Sequence, residues 1–186
     1  MTTIEALENL FSRFIDLSQK LDHSLPKVSF DSEWTSVCTG DANPNEQGLV
    51  EWQPTPREGG DIFSHLERAL EVQFHSDFID FFSHYWSEGL IVSHALGEMS
   101  LIQIWNKEDE DMLKENLLGH CFAKRKNKLP LTLFIGCTVD DEVIALDNAT
   151  GNIVLERAGY PAHQTIASHL AEFLGQLTPS LKPYND

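Results

Sequence analysis

Asp77, Asp80 and His84 stand at i, i+3 and i+7, a spacing that places two carboxylates and an imidazole along one face of a helix. Such a trio can share a proton or offer ligands to a divalent cation. A metal site needs three or four converging ligands, and no HExxH or comparable signature accompanies these residues, so a solvated helix face is the reading kept. His120-Cys121 sets a base beside a thiol. Adjacent residues of a helix point in different directions, so Cys121 reads as a small core residue rather than a nucleophile. There is no GxSxG elbow, no phosphate loop and no dinucleotide glycine fingerprint. Gly59-Gly60 precedes a helix and offers backbone amides to an anion, but two glycines alone specify little. The basic run Lys124-Arg125-Lys126-Asn127-Lys128 fits a helix C-terminus complemented by cations. The expectation is a protein with no catalytic residue, no metal and no cofactor.

Charge is more informative than any of these clusters. The chain has 186 residues with 29 acidic and 13 basic side chains, a formal net charge of −16. Nucleic acid and anionic membrane surfaces attract basic faces, so neither is an expected partner, and no small-molecule substrate is indicated. An acidic excess serves solubility or a basic partner, and composition alone leaves both open. Between Arg68 and Lys107 there is no lysine or arginine, while Glu71, Asp77, Asp80, Glu88 and Glu98 all fall there. Phe78, Phe81, Phe82, Tyr85 and Trp86 share that stretch. An acidic, aromatic-rich unit without counter-charges is a candidate dock for a basic peptide, with the aromatics read first as core. With Glu67 just before it, the candidate contact residues are Glu67, Glu71, Asp77, Asp80, Glu88 and Glu98.

The elements that position these groups follow from periodicity. Thr2 with Glu5 forms a capping box, and Ile4, Leu7, Leu10, Phe11, Phe14, Leu17 and Leu21 give a helix over residues 3–21. Residues 22–48 are rich in loop signals, with a short strand expected at 36–39. A strand at 49–53 is ended by Pro54 and Pro56. Asp61 or Ser64 caps a first helix, and Phe74 to Trp86 forms a second after a break at 75–76. Strands at 90–95 and 99–105 flank Gly97. Asn106 caps a helix running to about Lys124, with acids in its first turn and bases in its last. Strands follow at 131–138, 142–146 and 153–156, and a closing helix spans about His163–Leu177. Asn148-Ala149-Thr150 matches a glycosylation sequon but reads as a turn. Successive hairpins with segregated helices mean α+β: a mainly antiparallel sheet with helices packed around it, in one domain over 1–186. Met1–Leu10 lacks a signal peptide's basic start and apolar core, no run approaches the length of a membrane span, and Cys38, Cys121 and Cys137 form no disulfide pattern. These features lead to the expectation of a soluble protein of a reducing cytosol.

A set of short motifs in fixed order carries a resemblance. Val50-Glu51-Trp52-Gln53-Pro54 and Leu66-Glu67-Arg68-Ala69-Leu70-Glu71 come first. Leu101-Ile102-Gln103-Ile104-Trp105 with Asp109 follows, then Glu115-Asn116-Leu117-Leu118-Gly119-His120, and Lys128-Leu129-Pro130 before Thr132-Leu133-Phe134-Ile135. Leu170-Ala171-Glu172-Phe173-Leu174 leads to Leu177 and Pro179. Over about 49–179 this order resembles the Syd family of SecY-interacting proteins, within the SUKH superfamily. The resemblance implies a SUKH-like fold and no enzyme activity. It implies a cytoplasmic protein held peripherally at the inner membrane by the basic cytosolic loops of SecY, which dock on a concave acidic surface. Sensing or sequestering uncomplexed SecY is the implied role. The superfamily also contains immunity proteins, so neutralisation of a basic toxin nuclease is the alternative. Attachment needs no direct lipid anchor, since a chain this acidic is repelled by an anionic leaflet.

Overall fold

The computed structural model describes residues 1–58 and 60–181. In chain order the elements are α1 (Thr3–Asp22), β1 (Lys27–Ser29), β2 (Leu49–Glu51), β3 (Thr55–Pro56), α2 (Ser64–Leu70), α3 (Ser76–Ser83), β4 (Tyr85–Trp86), β5 (Leu90–His94) and β6 (Gly97–Leu101). Then come α4 (Lys107–Lys126), β7 (Thr132–Thr138), β8 (Val143–Asp147), β9 (Ile153–Glu156), β10 (Gln164–Ala167), α5 (Leu170–Gln176) and β11 (Thr178–Pro179). Seven strands form one sheet in the order β10-β9-β8-β7-β6-β5-β11, antiparallel at every pairing. Two short ribbons, β1–β2 and β3–β4, stand beside it. The α+β expectation holds.

Local sequence explains the main supports. The Thr2 hydroxyl accepts from the Glu5 amide at 3.2 Å while the Glu5 carboxylate accepts from the Thr2 amide at 2.8 Å, which satisfies two orphan donors at the start of α1. Ala6, Leu7, Leu10, Phe11 and Phe14 line its buried face, and α1 packs on α3, α5 and β11. The Arg13 guanidinium ties α1 to α5 by donating to the Leu177 and Leu174 carbonyls at 2.6 and 3.4 Å. Phe63, Phe74, Phe78, Phe81 and Phe82 form a chain of edge-on and tilted rings with centroids 4.8–6.3 Å apart. The phenylalanines of the base-free stretch are therefore core, each fully buried Phe contributing roughly 1.5–3 kcal/mol, while Tyr85 and Trp86 are half-buried against it.

Several expected elements change. Residues 37–39 form a 3₁₀ turn instead of a strand, because the Ser36 hydroxyl accepts from the Cys38 amide and closes it. The missed strand of this region is β1, paired with β2. Pro56 does not simply end a strand: Thr55–Pro56 pairs with Tyr85–Trp86, so these two aromatics leave the helix, which stops at Ser83. The strand expected to reach Trp105 ends at Leu101. The segment read as the start of the last helix is β10, paired with β9, and the His169 ring caps a shorter α5 by accepting from the Glu172 amide at 3.0 Å. The sequon is a turn, as expected: Asp147 Oδ1 accepts from the amides of Ala149 and Thr150, both at 3.0 Å.

Candidate functional site

The trio that opened the sequence reading does not converge. Asp77 and Asp80 lie on α3, His84 is its C-cap, and Asp80 meets His84 alone at 3.5 Å. Among the described residues no group of three or more histidine, cysteine, aspartate or glutamate side chains is placed to hold a metal ion. His120 is committed elsewhere, with Nε2 2.8 Å from the Thr132 carbonyl, and burial pulls its pKa down. Burial pushes the Cys121 thiol up, away from the thiolate that a nucleophile needs. The Gly59 half of the Gly59-Gly60 pair lies outside the described residues.

Four of the 13 cations are consumed in two networks. Lys124 and Glu156 form an ion pair at 2.7 Å with 5% and 1% of their side chains exposed. The Thr132 hydroxyl donates to the same carboxylate at 2.9 Å. Arg125 donates to the Leu70 carbonyl, fastening α4 to the end of α2. Of the expected basic cluster, Lys124 is thus buried structure, while Arg125 is exposed but tied to α2. Glu110, 3% exposed, collects Arg57 at 2.5 Å, Lys107 at 2.6 Å and Lys114. Burial alone would raise its pKa, but hydrogen bonds from Lys107, Lys114 and Arg57 outweigh it and hold the carboxyl at about 2. Arg57 also stacks on Trp86 at 4.0 Å.

The six candidate acids stand outside these networks. Glu67 and Glu71 share a shallow hollow at the end of α2; Glu67 accepts from the Phe74 amide at 2.6 Å, and Glu71 is exposed. Arg68 lies beside them but meets the His65 ring at 2.9 Å. Asp77 and Asp80 are half-buried on α3. Glu88 lines a different concavity, and Glu98 sits on β6 opposite Ser93. Strand alternation puts Glu98 on the opposite side of β6 from buried Met99 and Leu101. Glu67 with Glu71, and Asp77 with Asp80, are local pairs; Glu88 and Glu98 stand apart from them. Among the described residues none of the six forms an ion pair with lysine or arginine.

The concavity at Glu88 is a cleft of about 400 Å³ where α1, the β1–β2 ribbon, β5 and the chain after β11 meet. Phe14, Asp22, Trp52, Ile91 and Leu181 share its lining with Glu88. Burial pushes the Glu88 carboxyl up, the Gly89 amide at 3.2 Å opposes this, and the charge of Asp109 adds to it. Sequence reasoning missed Asp22 and Asp109 as members of this acidic region. Asp22 ends α1, and Asp109 reads as a helix-dipole residue; it does accept from the Trp105 amide at 2.8 Å. Only the proximity of Asp109 to Glu88 in the fold reveals its second effect.

Fold and surface define an α+β protein on a single seven-stranded antiparallel sheet, with carboxylates that its own cations do not neutralise. No helix among the described residues is long and apolar enough to cross a membrane. The family described as Syd protein (SUKH-2) matches residues 4–179, and the chain belongs to that family. Its relatives include Protein Syd of Hahella chejuensis, 46% identical over 139 residues, covering 75% of this chain and 72% of that protein. Protein Syd of Psychromonas ingrahamii is 35% identical over 179 residues, 96% of each chain. Protein Syd of Pseudoalteromonas atlantica is 33% identical over 181 residues, 96% of this chain and 97% of the relative.

Proposed function

We propose that this protein is a non-enzymatic regulator that docks the basic cytosolic loops of SecY. Glu67, Glu71, Asp77, Asp80, Glu88 and Glu98 supply the acidic contacts. The observation that carries the reading is the absence of any lysine or arginine pair to these six carboxylates among the described residues, in a chain where Glu110 alone collects three cations. Membership of the Syd family supports the choice of SecY as partner. Acids without an internal lysine or arginine keep their charge for an incoming cation, so they steer encounter and select a basic partner, while apolar contacts set residence time. Docking of this kind holds the protein at the cytoplasmic side of the inner membrane through SecY, without requiring a lipid anchor. There it senses or sequesters SecY that lacks its proper partners and so modulates the translocase.

The test is capture from detergent-solubilised inner membranes, followed by mass spectrometry, at low and high salt. SecY is expected as the captured protein at low salt and is expected to be lost at high salt. Capture of a basic nuclease in place of SecY would move the assignment to an immunity protein. Salt-insensitive capture of SecY would remove the acidic contacts from the mechanism.

A further inference from the structure

Glu88 differs from the other candidate acids in where its charge is held. It is half-buried at the wall of the α1–β2–β5 cleft, and its carboxylate accepts one hydrogen bond, from the Gly89 amide at 3.2 Å. No lysine, arginine or histidine among the described residues pairs with it. Lys27 shares the cleft and makes no ion pair with it. A partly desolvated carboxylate with one weak donor is costly to keep unless something outside the chain completes it.

An unsatisfied acceptor lies across the strand pair from it, outside the cleft lining. The Ser87 amide donates to the Ile104 carbonyl at 2.9 Å, which continues the β5–β6 register beyond Leu90 opposite Leu101. That register sets Glu88 opposite Gln103. Gln103 is 5% exposed, and its Oε1 has no hydrogen-bond donor. The apolar part of the lining is the buried pair Trp52 and Phe14, with ring centroids 5.8 Å apart, together with Ile91 and Leu181; Ser18, Lys27 and Ser180 supply polar lining. Asp22 at the cleft and Asp109 behind Glu88 add negative potential.

We propose that this cleft is a socket for one arginine side chain of the basic partner, with Glu88 as its counter-charge and Trp52 and Phe14 as its apolar walls. The proposal rests on the docking reading and narrows it to a single anchoring residue. A guanidinium suits the cleft better than an ammonium. It is weakly hydrated, so entering a partly apolar cavity costs it less, and its planar fork of donors matches both oxygens of the Glu88 carboxylate. The other five candidate acids then steer, and Glu88 holds.

The test is carboxyl-detected NMR of the full chain labelled with ¹³C at glutamate, titrated at fixed ionic strength with N-acetylarginine amide or its neutral isostere N-acetylcitrulline amide. Blocked arginine is expected to move the Glu88 carboxyl resonance saturably, and blocked citrulline is not. Glu88→Gln should weaken arginine binding, followed through the indole resonances, by about tenfold, or 1.4 kcal/mol. Its thermal midpoint should be equal to or above the parent's, because a desolvated charge has been removed. Equal responses to the two ligands, or an arginine response confined to exposed carboxylates such as Glu71, overturn the socket. SecY capture separates the two ideas. Capture with an unmoved Glu88 resonance overturns the socket and leaves the docking reading, whereas a saturable Glu88 response without SecY capture keeps the socket and removes SecY as partner.

Discussion

Lys124 and Glu156 meet in the core under α4, where neither charge has access to water. A buried pair is held by mutual attraction against a large desolvation penalty, so losing one member costs more than losing both. Lys124→Met or Glu156→Gln alone is expected to lower stability by about 3–5 kcal/mol in urea unfolding. The double variant Lys124→Met, Glu156→Leu should recover most of that loss, and two additive losses would refute the pairing. Glu110 gives a pH signature. Its folded pKa of about 2 lies below the ordinary value, so its contribution to stability is complete above that ordinary value and is lost as pH falls toward 2. Between about pH 5 and pH 2 the parent's urea midpoint should fall more steeply than that of Glu110→Gln. Parallel curves would mean that the three cations around Glu110 do not hold its proton off. The basic cluster at the end of α4 was legible in the sequence as helix chemistry. The burial of Lys124 was not, because Glu156 lies 32 residues downstream and nothing local announces the pair.

Element boundaries failed where a distant strand outbid local periodicity. Phe78, Phe82, Tyr85 and Trp86 keep helical spacing, yet Tyr85 and Trp86 pair with Thr55 and Pro56, a partner that no window around residue 80 contains. Likewise Ile166 and Leu170 fit one helix face, but Gln164 and Thr165 pair with Leu155 and Val154 of β9. The long helices α1 and α4 were legible because caps, dipole charges and apolar stripe agree along their length. Sheet closeness also makes a testable point at Gly136 in β7. A Cβ there would collide with the Ser100 carbonyl of β6, a backbone atom that cannot swing aside. Gly136→Ala should therefore cost about 1–3 kcal/mol by overpacking, with the urea m-value unchanged. A neutral result would mean that the β6–β7 register relaxes more readily than a central pair should. The candidate acids were legible as a base-free run. Their division into local pairs on α2 and α3, a cleft residue and a residue on β6 depends on strand parity and on packing against α1.

At the scale of the whole molecule, one variable should move two observables in opposite directions. A net charge of −16 repels itself in the compact state and attracts a basic partner, and salt screens both. Raising ionic strength from about 0.01 M to about 0.15 M shortens the Debye length from about 30 Å to about 8 Å. Over that range the thermal midpoint should rise while the fraction of SecY captured falls. A specific-ion effect on folding would not couple the two. Of the 29 acids, 22 precede Lys124, so most of the excess charge lies in the same part of the sequence as the six candidate contacts. Charge reversal of Asp77, Asp80, Glu88 and Glu98 to lysine should therefore abolish capture and leave the midpoint nearly unchanged, since reversal relieves repulsion while breaking the Asp80–His84 pair and the long Gly89–Glu88 hydrogen bond. Reversal of a matched set elsewhere, Asp31, Glu33, Asp41 and Glu46 in the exposed 30–48 loop, should leave most of the capture intact. Equal losses from the two sets would show that SecY reads net charge alone. A larger loss from the first set would show that it reads where these carboxylates are placed.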